Sequence, residues 1–323
     1  MSAVASRTPE HVERFGRDFG IPFATADEAA AVRLAEVDAV YIATPPSEHL
    51  RQALIAIEAG KAVLIEKPFA TTASEARQIV AAARAGDVFC MEAMWTRFMP
   101  LLAGIRSVLA DGTLGEVRGL SGSFGISNAP DATAGLFDPA RGGGALLHRG
   151  IYPLSLARHL LGPVTHVQAR ARMGEAGVDE DVHLVLDHDN GAISSFLGSL
   201  RAPLANDLEI TGTHGRIAVE APIFRPFRAR LYKTTPRSGM PSGGRFEAVK
   251  EGRILQRMAQ ARLATAVRGR PHTIFRPFEG NGYGHEAVEV ARCLQEGWLE
   301  SPLMPLDESV EIMEIIDAAR AQF

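Results

Sequence analysis

The 323-residue chain sets 34 Lys and Arg against 38 Asp and Glu, a formal net charge of −4, and is 46% hydrophobic and 22% charged. That is the make-up of an ordinary globular protein, and its slight acidity argues against a nucleic-acid or anionic-membrane surface as its main business. The length suits two domains, no stretch predicts a membrane span or a secretory leader, and Cys90 and Cys293 lack metal-ligand spacing, which suits a reducing cytoplasm.

Ser2 to Ala5 reads as a strand that turns out at Ser6-Arg7. Thr8-Pro9-Glu10 then predicts a helix start: a capping hydroxyl, a proline in the first turn and an early acid. Val12, Phe15 and Phe19 fall on one face of that helix and Gly20 closes it. Asp27 is expected to cap a short helix ahead of a strand over 37–43. Thr44-Pro45-Pro46-Ser47-Glu48-His49 follows as a loop whose serine can cap a helix over 48–59, closed by Gly60. Val63-Leu64-Ile65-Glu66-Lys67-Pro68 is the next strand, apolar and largely β-branched until proline breaks it. A helix over 74–84 leads to a strand over 88–92.

This alternation predicts a parallel sheet with crossover helices, ending near Met94. From Glu116 the chain is strand-rich, with runs near 164–173, 181–187, 191–200, 207–212 and 216–219, and Asp189-Asn190-Gly191 reads as a hairpin turn in an antiparallel sheet. Helices return over 283–296 and 307–321, the first with Ala287, Val290, Ala291 and Leu294 at helical spacing. The fold class is α/β: a nucleotide-type domain over 1–94 and an α+β domain over 95–323.

Several residues are candidates for chemistry. Glu66 and Lys67 stand at the carboxyl end of a buried strand, where open α/β sheets hold ligands, and a lysine there can be desolvated and tuned for proton transfer. Ser6-Arg7 stands where a dinucleotide's adenosine ribose is read, and arginine suits the 2′-phosphate of NADP. Thr44-Pro45-Pro46 is a rigid loop able to line a flat ring or to serve as an ordinary turn. Trp95 and Arg97 lie at the domain junction, to line a cleft or pack the interface. After Gly142-Gly143-Gly144, His148 and Tyr152 are four apart on one expected helical face, where both can handle protons or simply pack.

In combination, Tyr41–His49, Glu66-Lys67-Pro68, Glu92–Phe98, the glycine stretch through Tyr152 and Gly280-Asn281-Gly282-Tyr283 resemble the glucose–fructose oxidoreductase/inositol dehydrogenase (Gfo/Idh/MocA) family over nearly the whole chain. Trp95-Thr96-Arg97-Phe98 and Tyr152 are most similar to its dihydrodiol and xylose dehydrogenase branch. The resemblance implies a Rossmann-type parallel sheet, then a mostly antiparallel open-faced sheet often used for dimerisation. It implies hydride exchange between NADP (or NAD) and a polyol, sugar or diol, with Lys67 catalytic and Tyr152 the acid/base. His148 takes the place of a family aspartate beside that pair. Ser6, Arg7, Thr44, Pro45, Pro46, His49, Glu66, Lys67, Trp95 and Arg97 are then expected around the cofactor, with no metal.

Three departures accompany it. The family's opening strand and Gly-x-Gly-x-x-Gly turn, a piece of about 25–30 residues, are not in the first half. The absent strand is expected to be central, and its turn to hold the pyrophosphate. His148, followed by Arg149, replaces the aspartate. Residues from about Lys233 to Arg276 read as an insertion with a basic amphipathic run from Arg253 to Arg268, a solvated helix or a lid. Two readings stay open: a working oxidoreductase, or a catalytically silent sugar-binding or interaction protein.

Overall fold

The computed structural model describes residues 1–131, 135–235 and 271–323. Its first third alternates strand and helix: β1 (Ala3–Ala5), α1 (Pro9–Phe19), β2 (Phe23–Thr25), α2 (Glu28–Val32), β3 (Ala39–Ile42), α3 (His49–Glu58), β4 (Ala62–Glu66), α4 (Ala73–Ala85) and β5 (Cys90–Ala93). All pairings are parallel, but the expected single layer comes in two pieces. β1 pairs with β2, while β3, β4 and β5 form a separate sheet in that order. No ladder joins β1 to β3, and Tyr41 on β3 is 49% exposed. β4 is the middle strand of its sheet, and Val63, Leu64 and Ile65 are all buried, as a parallel strand covered on both faces requires.

Local details differ from the sequence reading for identifiable reasons. Thr8 makes no side-chain cap. α1 buries Val12 and Gly16 rather than the two phenylalanines. At Gly16 the helix meets β2 so closely that a Cβ would stand 2.8 Å from that of Ala24. That contact turns Phe15 and Phe19 outward, where their rings meet at 4.5 Å. Asp27 does cap α2, accepting from the Ala30 amide at 3.0 Å. Ser47 caps nothing, because Pro46–Glu48 is a 3-10 turn that leads into α3.

The remainder is built on eight strands: β6 (Val117–Gly125), β7 (Val164–Met173), β8 (Asp179–His188), β9 (Ile193–Ser199), β10 (Leu208–Gly212), β11 (Gly215–Val219), β12 (Arg228–Lys233) and β13 (His272–Phe275). Their order is β13-β12-β11-β10-β6-β9-β8-β7, antiparallel throughout except for β6 beside β9. The hairpin expected at Asp189-Asn190-Gly191 joins β8 to β9; Gly191 has φ 81° and the Asn190 side chain accepts from Ala192 N. β12 and β13 pair across the stretch expected as an insertion, whose basic run Arg253–Arg268 lies outside the described residues.

Helices close the layers together. α5 (Pro100–Ala110) follows a 3-10 turn at Trp95–Phe98; α6 (Ile151–Leu161) lies over β6 and β9. α7 (Gly284–Gln295) and α8 (Leu306–Arg320) end the chain, and α8 runs from α4 and β5 across to α6 and β7. Of the stripe expected on α7, only Val290 is buried. Ala287, Ala291 and Leu294 are exposed, while Glu286, Glu289, Val290 and Cys293 face inward. Glu289 is satisfied there by Ser301 and Arg292. No helix among the described residues is long and apolar enough to cross a membrane.

Candidate active site

Lys67 follows the last residue of β4, and a cis bond joins it to Pro68. Its ammonium lies 5.1 Å from the centre of the Tyr152 ring, so candidates from the two domains share one cleft. Burial pushes Lys67 down to about 8; Glu66 opposes the shift, Arg149 adds to it and Glu92 opposes it. Glu66 does not ion-pair with the lysine. Its carboxylate takes the Tyr41 hydroxyl on one oxygen and the Lys67 amide, at 3.1 Å, on the other.

Tyr152 arrives on α6 by way of the glycine stretch. Gly142 and Gly144 have φ of 81° and 121°, and a Cβ on Gly144 would fall 2.2 Å from Asp179 Oδ1. That carboxylate accepts from the Leu146 amide at 2.6 Å and anchors the start of the turn. Leu146–Gly150 is a π-turn rather than the expected α-helix, so His148 leaves the α-helical register that would stack it on Tyr152. His148 instead donates from Nε2 to the Gly142 carbonyl at 3.0 Å. Burial and the nearby Lys67 charge push it down to about 3. The expectation of His148 as a proton carrier gains no support from this geometry, in which the ring braces the glycine turn.

Tyr152 is only 6% exposed, and Trp95 Nε1 donates to its hydroxyl at 3.2 Å. Burial pushes the phenol up to about 12, against the Trp95 hydrogen bond. Its own O–H remains free to donate into the cleft. Aromatic rings line that wall: Tyr283 stacks on Trp95 at 4.3 Å, and Phe124 meets Tyr152 edge-on at 5.1 Å.

Two other expected ligand contacts turn out to be struts. Arg97 is 2% exposed and donates to Ser155 Oγ at 2.8 Å, to the Ser155 carbonyl at 3.0 Å and to Glu308 at 2.6 Å. A guanidinium so enclosed holds α6 and α8 to the end of β5 and has nothing left for a cofactor. His49 is fully buried, its ring nitrogens 2.9 Å from the carbonyls of Pro68 and Thr44. It ties the Thr44-Pro45-Pro46 loop to the lysine's loop and faces no open space.

A cavity of about 490 Å³ is lined by Tyr41, Leu64, Glu66, Tyr283, Glu286 and Ala287, and so reaches the lysine's neighbour Glu66 but neither Lys67 nor Tyr152. Glu286 is 2% exposed, and its Oε2 has no hydrogen-bond partner. Burial and the Glu66 charge push it up to about 8. Sequence reasoning missed Glu286, Asp179, Ser155 and Glu308. None belongs to a local motif; only the acid at an inward helical position in α7 was a usable signal.

The residues present fit a dinucleotide at its two ends. Lys67 and the Thr44–Pro46 loop stand at the carboxyl ends of neighbouring strands. Ser6 and Arg7 follow β1, with the Arg7 side chain 66% exposed and only loosely paired with Glu48 at 3.5 Å. Between those ends no glycine turn opens a helix among the described residues. The amides at and just before the start of α4 are already taken: Thr71 by Glu75, Ala73 by Asp317 and Glu75 by Thr72.

A parallel-strand layer ending in a desolvated lysine, closed by a mostly antiparallel sheet that brings a tyrosine to it, defines a two-layered oxidoreductase scaffold. Residues 1–94 match the oxidoreductase family with an NAD-binding Rossmann fold, and residues 102–218 match the GFO/IDH/MocA C-terminal domain. The chain is 33% identical over 322 residues to the trans-1,2-dihydrobenzene-1,2-diol dehydrogenase of Bos taurus, covering 98% of this chain and 87% of that one. In fold it is similar to levoglucosan dehydrogenase in complex with NADH and levoglucosan (TM-score 0.82, 22% identity, 99% and 87% coverage). It is also similar to a 3-ketoreductase from Actinomadura kijaniata in complex with NADP (TM-score 0.80, 22% identity, 100% and 89% coverage). The chain belongs to the Gfo/Idh/MocA family of nicotinamide-dependent oxidoreductases.

The state of Glu286 is open to test through stability. Its folded pKa of about 8 lies above the ordinary carboxylate value, so the folded state holds a proton that the unfolded state has released. Its contribution is complete below the ordinary carboxylate pKa and is lost as pH rises toward 8. Glu286→Gln should therefore raise Tm relative to the parent progressively from pH 5 to pH 9. An equal Tm difference at both ends would show that the carboxyl is not held protonated.

Proposed function

We propose that this protein transfers hydride between NADP and a carbinol or carbonyl carbon of a sugar, polyol or diol, with Lys67 as proton carrier and Tyr152 as hydrogen-bond donor. The observation that carries the reading is the Lys67 ammonium, desolvated and 5.1 Å from the Tyr152 ring, in a cleft between the two layers. Bound at the strand ends, the nicotinamide supplies the hydride acceptor or donor. Neutral Lys67 takes the hydroxyl proton as the carbinol is oxidised; protonated Lys67 returns it when a carbonyl is reduced. The Tyr152 O–H, too weakly acidic to ionise near neutrality, donates to the oxygen on which negative charge develops. Trp95 fixes the direction of that hydroxyl.

The preference for NADP rests on Arg7, which stands two residues beyond the end of β1 and two before the start of α1, a helix whose first turn the Thr8 side chain does not cap. Residues 1–94 would serve the cofactor and 95–323 the substrate. A homodimer is supported by the outward face of β8 and β9, where Val185 and Ile193 are 41% and 53% exposed. The two unpaired, buried cysteines suit the cytoplasm.

One observation favours a weaker role: no described turn cradles a pyrophosphate. Titrating NADPH into the protein and following its fluorescence should give binding weaker than low-micromolar; low-micromolar binding would mean that another backbone turn supplies the amides. At saturating NADP, oxidation should rise with pH through one limb near 8. Lys67→Met should remove that limb and lower turnover by about 10²–10⁴-fold. A limb that survives in Lys67→Met would take the proton away from the lysine.

A further inference from the structure

Arg149 sits on the π-turn between His148 and Tyr152, and the hydride-transfer reading leaves it without a role. Its guanidinium lies 5.0 Å from the centre of the Phe124 ring, the ring that meets Tyr152 edge-on. Nη1 donates to the His148 carbonyl at 3.2 Å, while Nε is buried with no hydrogen-bond partner. Among the described residues no carboxylate pairs with it. Glu66 is committed to Tyr41 and the Lys67 amide.

The cleft therefore holds two cations, Lys67 and Arg149; Glu66 and Glu92 act on the lysine, and no carboxylate among the described residues pairs with the arginine. A partly desolvated guanidinium with an orphaned donor is costly unless something supplies acceptors. Its planar fork matches a carboxylate or phosphate better than a single hydroxyl. Arg225 lies 5.7 Å above the Phe224 ring, which in turn packs on Phe124, and brings a second guanidinium to the same aromatic wall. Arg149 stands on this wall of the eight-stranded layer, and the Arg7 and Thr44–Pro46 ends stand on the parallel layer. An anion at Arg149 thus belongs to the substrate.

We propose that the substrate carries an anionic group, a carboxylate or a phosphate, which Arg149 binds while the reacting carbinol lies between Lys67 and Tyr152. The favoured class is then a sugar acid or sugar phosphate rather than a neutral sugar or diol. This rests on the hydride-transfer reading for the position of the carbinol.

Calorimetric titration of glucuronate, glucose 6-phosphate and methyl glucoside into the protein at low salt tests it. At least one anionic probe should bind ten-fold or more tighter than the neutral glucoside, and whichever is tighter assigns carboxylate or phosphate. Arg149→Gln should abolish that preference, Arg149→Lys should keep part of it, and 0.5 M NaCl should reduce it in the parent protein. NADPH affinity should stay within two-fold in Arg149→Gln. Equal binding of all three probes, a preference that survives Arg149→Gln, or a ten-fold loss of NADPH affinity would overturn the proposal. If Arg149→Gln does not fold, the salt dependence in the parent and the Arg149→Lys titration decide. The two readings fail separately. Arg149-dependent binding of an acid that never reduces NADP defeats hydride transfer alone; oxidation of the neutral glucoside, indifferent to Arg149, defeats the anion alone.

Discussion

The site depends on one buried ion pair. Arg97, its side chain wholly shielded from solvent, joins Glu308 on α8 to both the hydroxyl and the carbonyl of Ser155 on α6. Removing Glu308 from such a pair would cost on the order of 3–5 kcal/mol, because the enclosed Arg97 charge would be left buried. Here the same contact also sets geometry. It fixes the 3-10 turn that carries Trp95 against the helix that carries Tyr152, and through them places a phenol beside a lysine from the other layer.

Burial then assigns the protonation states. Lys67 is brought down to about 8, into the range where its proton can come and go, while Tyr152 is driven up to about 12 and remains a donor. His148 is pushed down to about 3 by burial and the Lys67 charge. On the proposed function, groups within one cleft are thus separated by environment into carrier, donor and spectator. The Lys67 value is a balance: enclosure and Arg149 lower it, and the two glutamates Glu66 and Glu92 oppose them. An anion bound at Arg149 would shift that balance upward, which links substrate charge to the working pH of the lysine.

The parts of this legible in sequence were those with a local signature. An apolar run broken by proline located β4 and Lys67, hairpin chemistry located the β8–β9 turn, and Asp27 announced its cap. The pairing of Lys67 with Tyr152 was legible only through the family resemblance. What stayed hidden depends on contacts between distant segments. Arg97 reads as a cleft residue until Ser155 and Glu308 are seen around it, and His49 as a ligand contact until both ring nitrogens are found facing carbonyls. The π-turn at Leu146–Gly150 carries no propensity signal, and Phe15 and Phe19 looked like a core face until the close approach at Gly16 turned them outward.

The claim on which the account stands is that Lys67 is desolvated beside Tyr152. Its direct measure is an NMR titration of the protein with ¹³C-labelled lysine, the Lys67 signal assigned by its loss in Lys67→Met. The account predicts a midpoint near 8 for that resonance. A midpoint near about 10.4, where solvated lysines titrate, would contradict it and leave the cleft without its proton carrier.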